Sequence, residues 1–192
     1  MPWFGSISST RANRREEPST CWPRWISPNW KANFGDTAAL VFGDYPANLP
    51  AEPMKVPLAD SPNSLEISFS GCTLVSPPQQ RTTMADPLRV KSSERAPFSL
   101  VGSDINIRMR FPDDKVRRVT FYCLHRQDPG RTQVISVTDV TTNSALDRKQ
   151  IAKFADGLYV SFDISGTVDV HFRPGPGSRV ASVSALLIDP QK

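Results

Sequence analysis

Residues 104–111 read DINIRMRF, and this stretch decides the fold. Ile105, Ile107, Met109 and Phe111 alternate with polar residues throughout it. Because successive side chains of a β-strand point to opposite faces, this period of two predicts a strand with one buried and one wet face. A sheet that is buried on one side only is typical of antiparallel architectures.

The same alternation recurs along the chain in several short segments, at residues 65–71, 119–123, 134–138, 158–164 and 168–172. The tight turn Ser165-Gly166 joins the last two and predicts a β-hairpin. Residues 180–188 are apolar on both sides and predict a central strand, whereas only residues 147–155 resemble a helix. Many short strands without intervening helices predict an all-β, antiparallel β-sandwich, for which we expect jelly-roll-like connectivity.

The N-terminal third has a different character. Nine of the 18 prolines lie in residues 1–62, and proline is excluded from central strands and helix interiors. Residues 1–30 also hold all four tryptophans and keep no regular period. The sequence therefore predicts a long irregular N-terminal arm at residues 1–30, followed by a β-sandwich domain at residues 31–192.

Composition limits the classes of function. Hydrophobic residues make up 39% of the chain and charged residues 22%, which is typical of a globular protein. The net charge of +4 is modest, and the folded part shows no cluster of basic and stacking aromatic residues, so no nucleic acid partner is expected. The start lacks the pattern of a secretory signal, and no apolar stretch approaches the ~20 residues that span a bilayer. We expect a cytoplasmic protein.

Catalytic and metal-binding patterns are weak. Cys21, Cys72 and Cys123 have neither disulfide nor zinc-site spacing, and the latter two fall within strand patterns. The histidines, His125 and His171, have no partner at metal spacing. Residues 68–72 lack the G-x-S-x-G motif of a nucleophile elbow and indicate a strand with a glycine bulge. Residues 175–177 indicate a turn rather than a phosphate loop. We therefore predict no enzyme activity, no cofactor and no metal.

Two charged groups leave alternatives open. The first is a group of aspartates that could supply oxygen ligands to calcium, although capping of turns is the favoured interpretation. Its members are Asp113, Asp114, Asp128, Asp139 and Asp163. The second is a group of arginines that could form a basic strip across neighbouring strands. The default interpretation of this strip is a solvated sheet face, and the alternative is a protein-docking face. Its members are Arg108, Arg110, Arg117 and Arg118.

Several motifs resemble a galactose-binding-like β-sandwich module of large multidomain bacterial proteins. They are Asn29-Trp30-Lys31 with Phe34-Gly35-Asp36, Asp86-Pro87-Leu88-Arg89, residues 135–139, residues 154–160 with Ile164-Ser165-Gly166, and residues 183–189. The resemblance implies a jelly-roll sandwich and favours carbohydrate binding. Where such modules carry a loop tryptophan, however, this chain reads HRQDPGR at residues 125–131, and that loss weakens an inherited sugar site.

The arm is the strongest candidate for a binding segment, because tryptophan and arginine are enriched at interface hot spots and basic, tryptophan-bearing segments at membrane surfaces. Its candidate partner-binding residues are Trp3, Phe4, Arg11, Arg14, Arg15, Trp22, Arg24, Trp25 and Trp30. The leading hypothesis is a non-catalytic accessory subunit that docks through the arm onto protein subunits of a larger complex, with an anionic membrane surface as a further partner. This complex would lie at the cytoplasmic face of a membrane. The alternative is a carbohydrate-binding module, with an enzyme third.

Overall fold

The computed structural model describes residues 35–42, 49–75, 99–125, 130–155 and 157–191. These residues form thirteen β-strands, numbered here in chain order. The strands are β1 (Ala38–Val41), β2 (Met54–Val56), β3 (Leu65–Ser70), β4 (Thr73–Val75), β5 (Ser99–Gly102), β6 (Ile105–Arg110), β7 (Arg117–Cys123), β8 (Thr132–Asp139), β9 (Ala145–Ala152), β10 (Leu158–Ile164), β11 (Thr167–Pro174), β12 (Ala181–Val183) and β13 (Ala185–Pro190). No described residue lies in a helix long and apolar enough to cross a membrane.

The strands form three antiparallel sheets. The six-stranded sheet has the order β2-β3-β6-β11-β8-β9, and the four-stranded sheet has the order β1-β13-β7-β10. A three-stranded sheet of order β12-β5-β4 accompanies them. This arrangement confirms the prediction of an all-β, jelly-roll-like antiparallel sandwich.

The core lies between the two larger sheets. Phe121 of β7 and Phe172 of β11 meet edge to face there, with ring centroids 5.0 Å apart. The alternating residues of β6 are buried as predicted, since Ile105, Ile107 and Met109 are 0% exposed while Arg108 and Arg110 face outward. The single central strand predicted at residues 180–188 is confirmed only for its second half, since β13 lies between β1 and β7 while β12 is an edge strand of the three-stranded sheet.

The chain changes sheets at two neighbouring turns, each of which holds a glycine. Gly71 lies in the turn after β3, and Gly102 ends β5. A Cβ on Gly71 would overlap the carbonyl oxygen of Asp104, and a Cβ on Gly102 would overlap the carbonyl oxygen of Gly71. Gly71 also has a φ of +68°, a conformation that glycine adopts without strain. The glycine predicted to form a bulge within a strand therefore lies in the turn between β3 and β4.

The hairpin predicted around Ser165-Gly166 is wrong. β10 pairs with β7 in the four-stranded sheet, whereas β11 pairs with β6 and β8 in the six-stranded sheet. The turn is tight, with Gly166 at a φ of +69°, but it carries the chain across the sandwich. The apolar sides of the two strands thus face each other through the core instead of lying side by side in one sheet.

The helix predicted at residues 147–155 is also wrong, because β9 covers most of this segment as the edge strand paired with β8. Ile151 and Phe154 are three residues apart, as on one side of a helix. In the structure, however, Ile151 reaches the core from β9 and Phe154 from the loop after it. Lys149 donates a hydrogen bond of 2.6 Å to the carbonyl oxygen of Ser161 in β10. Its ammonium lies 4.7 Å from the centroid of the Phe162 ring, so it closes the side of the sandwich.

Candidate functional site

The outward side of the six-stranded sheet is a broad polar surface, which we call the polar face. It is formed by the outward positions of the central strands, namely Glu66, Ser68 and Ser70 of β3, Asn106, Arg108 and Arg110 of β6, Asp169, His171 and Arg173 of β11, and Ser136 and Thr138 of β8. None of these described positions carries Phe, Tyr or Trp. A ligand would therefore be held by hydrogen bonds and charge rather than by stacking on those rings.

Arg108 and Asp169 form the centre of the polar face. They are directly opposite each other on β6 and β11, and the guanidinium donates two hydrogen bonds of 2.8 Å to the carboxylate. These bonds lower the pKa of Asp169 and raise that of Arg108. Both groups therefore stay charged over the ordinary pH range, in one fixed and planar arrangement.

A second group lies beside this pair. Asp104 accepts two hydrogen bonds of 3.1 Å from Arg173 and lies 3.2 Å from Nδ1 of His171. The hydrogen bond from Arg173 is the main reason that the pKa of Asp104 is lowered. The carboxylates of Asp169 and Asp104 thus lie on either side of His171, and each has a guanidinium partner.

Asn106 lies next to both groups. It is opposite His171 on β11, and its side chain hydrogen-bonds Asp169. Its Oδ1 atom is buried and has no hydrogen-bond partner among the described residues. A buried amide oxygen is ordinarily paired, so this oxygen is an unsatisfied acceptor just beneath the polar face.

The possible basic strip does not form, because each of its arginines lies beside a carboxylate and the four are divided among the polar face, the four-stranded sheet and the interior. The default interpretation, a solvated sheet face, holds for the exposed Arg108, Arg110 and Arg118. Arg110 is 3.7 Å from Glu66 on the polar face, and Arg118 pairs with Asp163 on the outward side of the four-stranded sheet. The alternation of residues correctly indicated outward positions. It carried no information on which strands would be neighbours.

Arg117 is buried instead of exposed. It is 0% exposed and donates to the carboxylates of Asp60 and Asp113, at 2.9 Å and 2.7 Å in the shortest contacts. Its guanidinium also lies 5.4 Å from the centroid of the Phe111 ring. The hydrogen bond from Arg117 is the main cause that lowers the pKa of Asp113 to about 2. This cluster joins the loop before β3 to the turn before β7 and has a structural role.

Of the aspartates considered for calcium, those that the structure describes form no common site. Asp113 pairs with Arg117 and Asp163 with Arg118, while Asp139 accepts a hydrogen bond of 2.8 Å from the backbone N–H of Thr142, as the turn-capping interpretation predicted. No group of three potential metal ligands occurs among the residues that the structure describes. Asp128 lies outside them.

Cys123 is buried in β7, as its strand pattern predicted, whereas Cys72 is half-buried and lies in the turn between β3 and β4 rather than in a strand. The glycine-rich stretch forms the predicted turn. Burial raises the pKa of Cys123 to about 12 and that of Cys72 to about 11, so both thiols stay protonated and unreactive near neutral pH. Residues 175–177 form a turn in which the N–H of Ser178 donates to the carbonyl oxygen of Gly175. Cys21 lies outside the described residues, as do all nine candidate partner-binding residues of the arm.

Comparison with known proteins gives structural matches only. No family model matches the chain. No curated protein matches it either. A mutant of the family 29 carbohydrate-binding module CBM29-2 complexed with cellulohexaose matches with a TM-score of 0.42 and 9% identity, over 80% of this chain and 92% of that one. A family 35 carbohydrate-binding module from Clostridium thermocellum gives a TM-score of 0.41 and 9% identity over 65% and 92%. The module CBM6cm-2 from Cellvibrio mixtus lichenase 5A, in complex with cellotriose, gives a TM-score of 0.39 and 6% identity, over 65% of this chain and 91% of that one.

These matches agree with the resemblance to a galactose-binding-like sandwich module. They also correct the functional prediction. The accessory subunit of a membrane complex, docked through the arm, is the wrong interpretation, since the matched modules bear names of carbohydrate binding and none of those named above is such a subunit. The alternative of a carbohydrate-binding module agrees better with the findings.

Proposed function

We propose that this domain is a non-catalytic carbohydrate-binding module and that the glycan lies on the polar face. The observation that supports this most directly is the fixed pair of Arg108 and Asp169, flanked by Asn106 and by the Asp104 group. Specific recognition of a small polar ligand needs a few polar groups held in set positions. Here the side chains hold one another, so little of their freedom is lost when a ligand binds.

The hydrogen-bonding capacity of the polar face suits sugar hydroxyls, each of which is both a donor and an acceptor. A guanidinium has five N–H groups, and Arg108 and Arg173 each direct two to a carboxylate, so that three remain on each. The outward hydroxyl groups of the polar face, such as those of Ser136 and Thr138, can both donate and accept. Neighbouring donors and acceptors of this kind can pair with adjacent hydroxyls of a pyranose ring.

The proposal is tested by screening the purified chain on a glycan array beside two double variants. Arg108→Gln with Asp169→Asn removes the charges of the polar face. Arg118→Gln with Asp163→Asn removes the corresponding exposed pair of the four-stranded sheet and is the matched control. Losing charged hydrogen bonds of about 1.5–3 kcal/mol should weaken glycan binding about 10- to 100-fold in the first variant and leave it unchanged in the second. A chain that binds no glycan, or two variants that lose binding equally, would refute it.

A further inference from the structure

A row of outward residues crosses the six-stranded sheet at His171 and ends in an arginine. Asn106 of β6 lies opposite His171 of β11. Ser136 of β8 follows on the other side of His171, and Arg148 of the edge strand β9 lies opposite Ser136. Because neighbouring strands lie about 4.8 Å apart, the row spans about 14 Å from Asn106 to Arg148. It extends the polar face onto β9.

The packing of β9 shows which way Arg148 points. Ile151 is buried in the core, and Lys149 donates to the carbonyl oxygen of Ser161 in the other large sheet. Residues 149 and 151 therefore face inward. Since side chains alternate along a strand, Arg148 faces outward, on the same side as the polar face.

Arg148 differs from the arginines of the polar face in having no ionic partner. Arg108, Arg110 and Arg173 each lie beside a carboxylate. The side chain of Arg148 is exposed, and within the described part of the chain it takes part in no ion pair or hydrogen bond. All five N–H donors of its guanidinium are therefore available to a ligand.

The surface around this row also carries an excess of positive charge. With histidine counted as neutral, the outward positions of the six strands together with Asp104 hold five cations and three carboxylates, which leaves two positive charges. The cations are Lys55, Arg108, Arg110, Arg148 and Arg173, and the carboxylates are Glu66, Asp104 and Asp169. Such a surface attracts an anionic ligand.

We propose that the glycan bound on the polar face is acidic and that Arg148 binds its carboxylate or sulfate group. This inference rests on the proposed function and adds the class of glycan. The planar guanidinium can direct two parallel hydrogen bonds to the oxygens of such a group. Ser136 and His171, next in the row, lie where the hydroxyls of the same sugar would be.

The absence of aromatic rings points the same way. None of the described outward positions of this sheet carries Phe, Tyr or Trp. A neutral sugar ring would therefore find no aromatic ring to stack on at these positions, whereas an acidic sugar gains a charged hydrogen bond from Arg148.

The test begins with a glycan array that carries both acidic and neutral glycans, on which we expect the acidic ones to be bound. Calorimetric titration then compares an oligogalacturonate with its carboxyl-reduced form, and a carrageenan oligosaccharide with its desulfated form. The wild type should bind an acidic probe about 10-fold or more tightly than its neutral counterpart. The pair that shows this preference distinguishes carboxylate from sulfate.

Arg148→Gln should weaken binding of the acidic probe about 10-fold and leave binding of the neutral one unchanged. Arg179→Gln is the matched control and should bind as the wild type does. Arg179 is also exposed and also without an ion pair among the described residues, but it lies in the loop between β11 and β12. Because both arginines are exposed, both variants should keep the circular dichroism of the wild type.

The outcomes separate this inference from the proposed function. A chain that binds no glycan of either kind refutes the proposed function and this inference together. Preference for neutral glycans, or an Arg148→Gln variant that binds acidic probes like the wild type, overturns this inference alone. Equally tight binding of duplex DNA or of phosphatidylserine vesicles at the same salt concentration would also overturn it, since the surface would then select charge and not a glycan.

Discussion

The guanidinium of Arg108 and the carboxylate of Asp169 face each other on β6 and β11 and share two hydrogen bonds of 2.8 Å. The arginine side chain is 51% exposed and that of the aspartate 16%. Ion pairs this accessible contribute about 0–1 kcal/mol to stability. The pair therefore adds little to folding, so its charges can be removed without unfolding the sheet.

The first prediction follows from that exposure. Changing Arg108 to Gln together with Asp169 to Asn should lower the free energy of unfolding by less than about 1 kcal/mol. Urea denaturation followed by circular dichroism measures it. A loss of several kcal/mol would show that the pair is a structural element of the sheet, and binding data from the variant would then have to be interpreted as an effect of unfolding.

Arg117 should behave in the opposite way. Its side chain is 0% exposed, and replacing it with Met would leave Asp60 and Asp113 without their cation. Because both aspartates are partly exposed and can be hydrated, we expect a loss of about 3 kcal/mol, at the lower end for a broken buried pair. Arg118→Met, which breaks an exposed pair, should lose less than about 1 kcal/mol in the same urea experiment. Equal losses would contradict the assigned roles.

The Asp113 carboxylate also predicts an acid dependence. Its pKa falls from 3.8 to about 2 in the folded chain, chiefly through the hydrogen bond from Arg117. Because the folded pKa is the lower one, this contribution to stability is complete above the unfolded pKa and is lost as the pH falls from about 4 toward 2. Asp113→Asn should therefore show a shallower decline in unfolding free energy across this range than the wild type. Parallel curves would argue against the pairing.

Gln133 provides a test of the polar end of the core. Its buried amide accepts a hydrogen bond of 2.9 Å from the N–H of Ser182 and donates one of 3.1 Å to the carbonyl oxygen of the same residue. Gln133→Leu would leave both backbone groups unpaired, at about 1–3 kcal/mol each. We expect a loss of about 2–4 kcal/mol by thermal or urea unfolding. Gln150→Leu on the exposed strand β9 is the control and should change stability by less than about 0.5 kcal/mol.

The two faces of β10 differ in the same testable way. Phe162 is 3% exposed and contacts Phe121, so that Phe162→Asp would bury an unpaired charge and should unfold the domain. Asp163→Ser removes only one partner of an exposed ion pair and should leave the melting temperature nearly unchanged. Similar effects of the two substitutions would show that the faces of this strand are assigned wrongly.

The sequence predicted the faces of the strands well and their partners poorly. Alternation placed Ile107 and Phe162 in the core, because burial on one side is a local property of each strand. The turn at Ser165-Gly166 is equally compatible with a hairpin and with a crossing between sheets, and only the packing of the whole core decides between them. The strand β9 was missed because an edge strand can be polar on both sides when its backbone is paired with β8.

The candidate site could be predicted only in part, for the same reason. The outward positions of Arg108, Asp169 and His171 can be derived from alternation within β6 and β11. That β6 and β11 are neighbours, and that Arg108 therefore meets Asp169, depends on contacts between residues 61 positions apart. The unpaired Oδ1 of Asn106 has no signal in the sequence at all, since it results from how the neighbouring side chains pack.

The most direct measurement of where a glycan binds is the change in backbone amide chemical shifts when a ligand found on the array is titrated into isotope-labelled protein. We expect the largest changes along β6, β11 and β8, centred on Asn106, Arg108 and Asp169, with little change along β7 and β10. Changes confined to residues 125–131, or to the outward side of the four-stranded sheet, would contradict binding on the polar face.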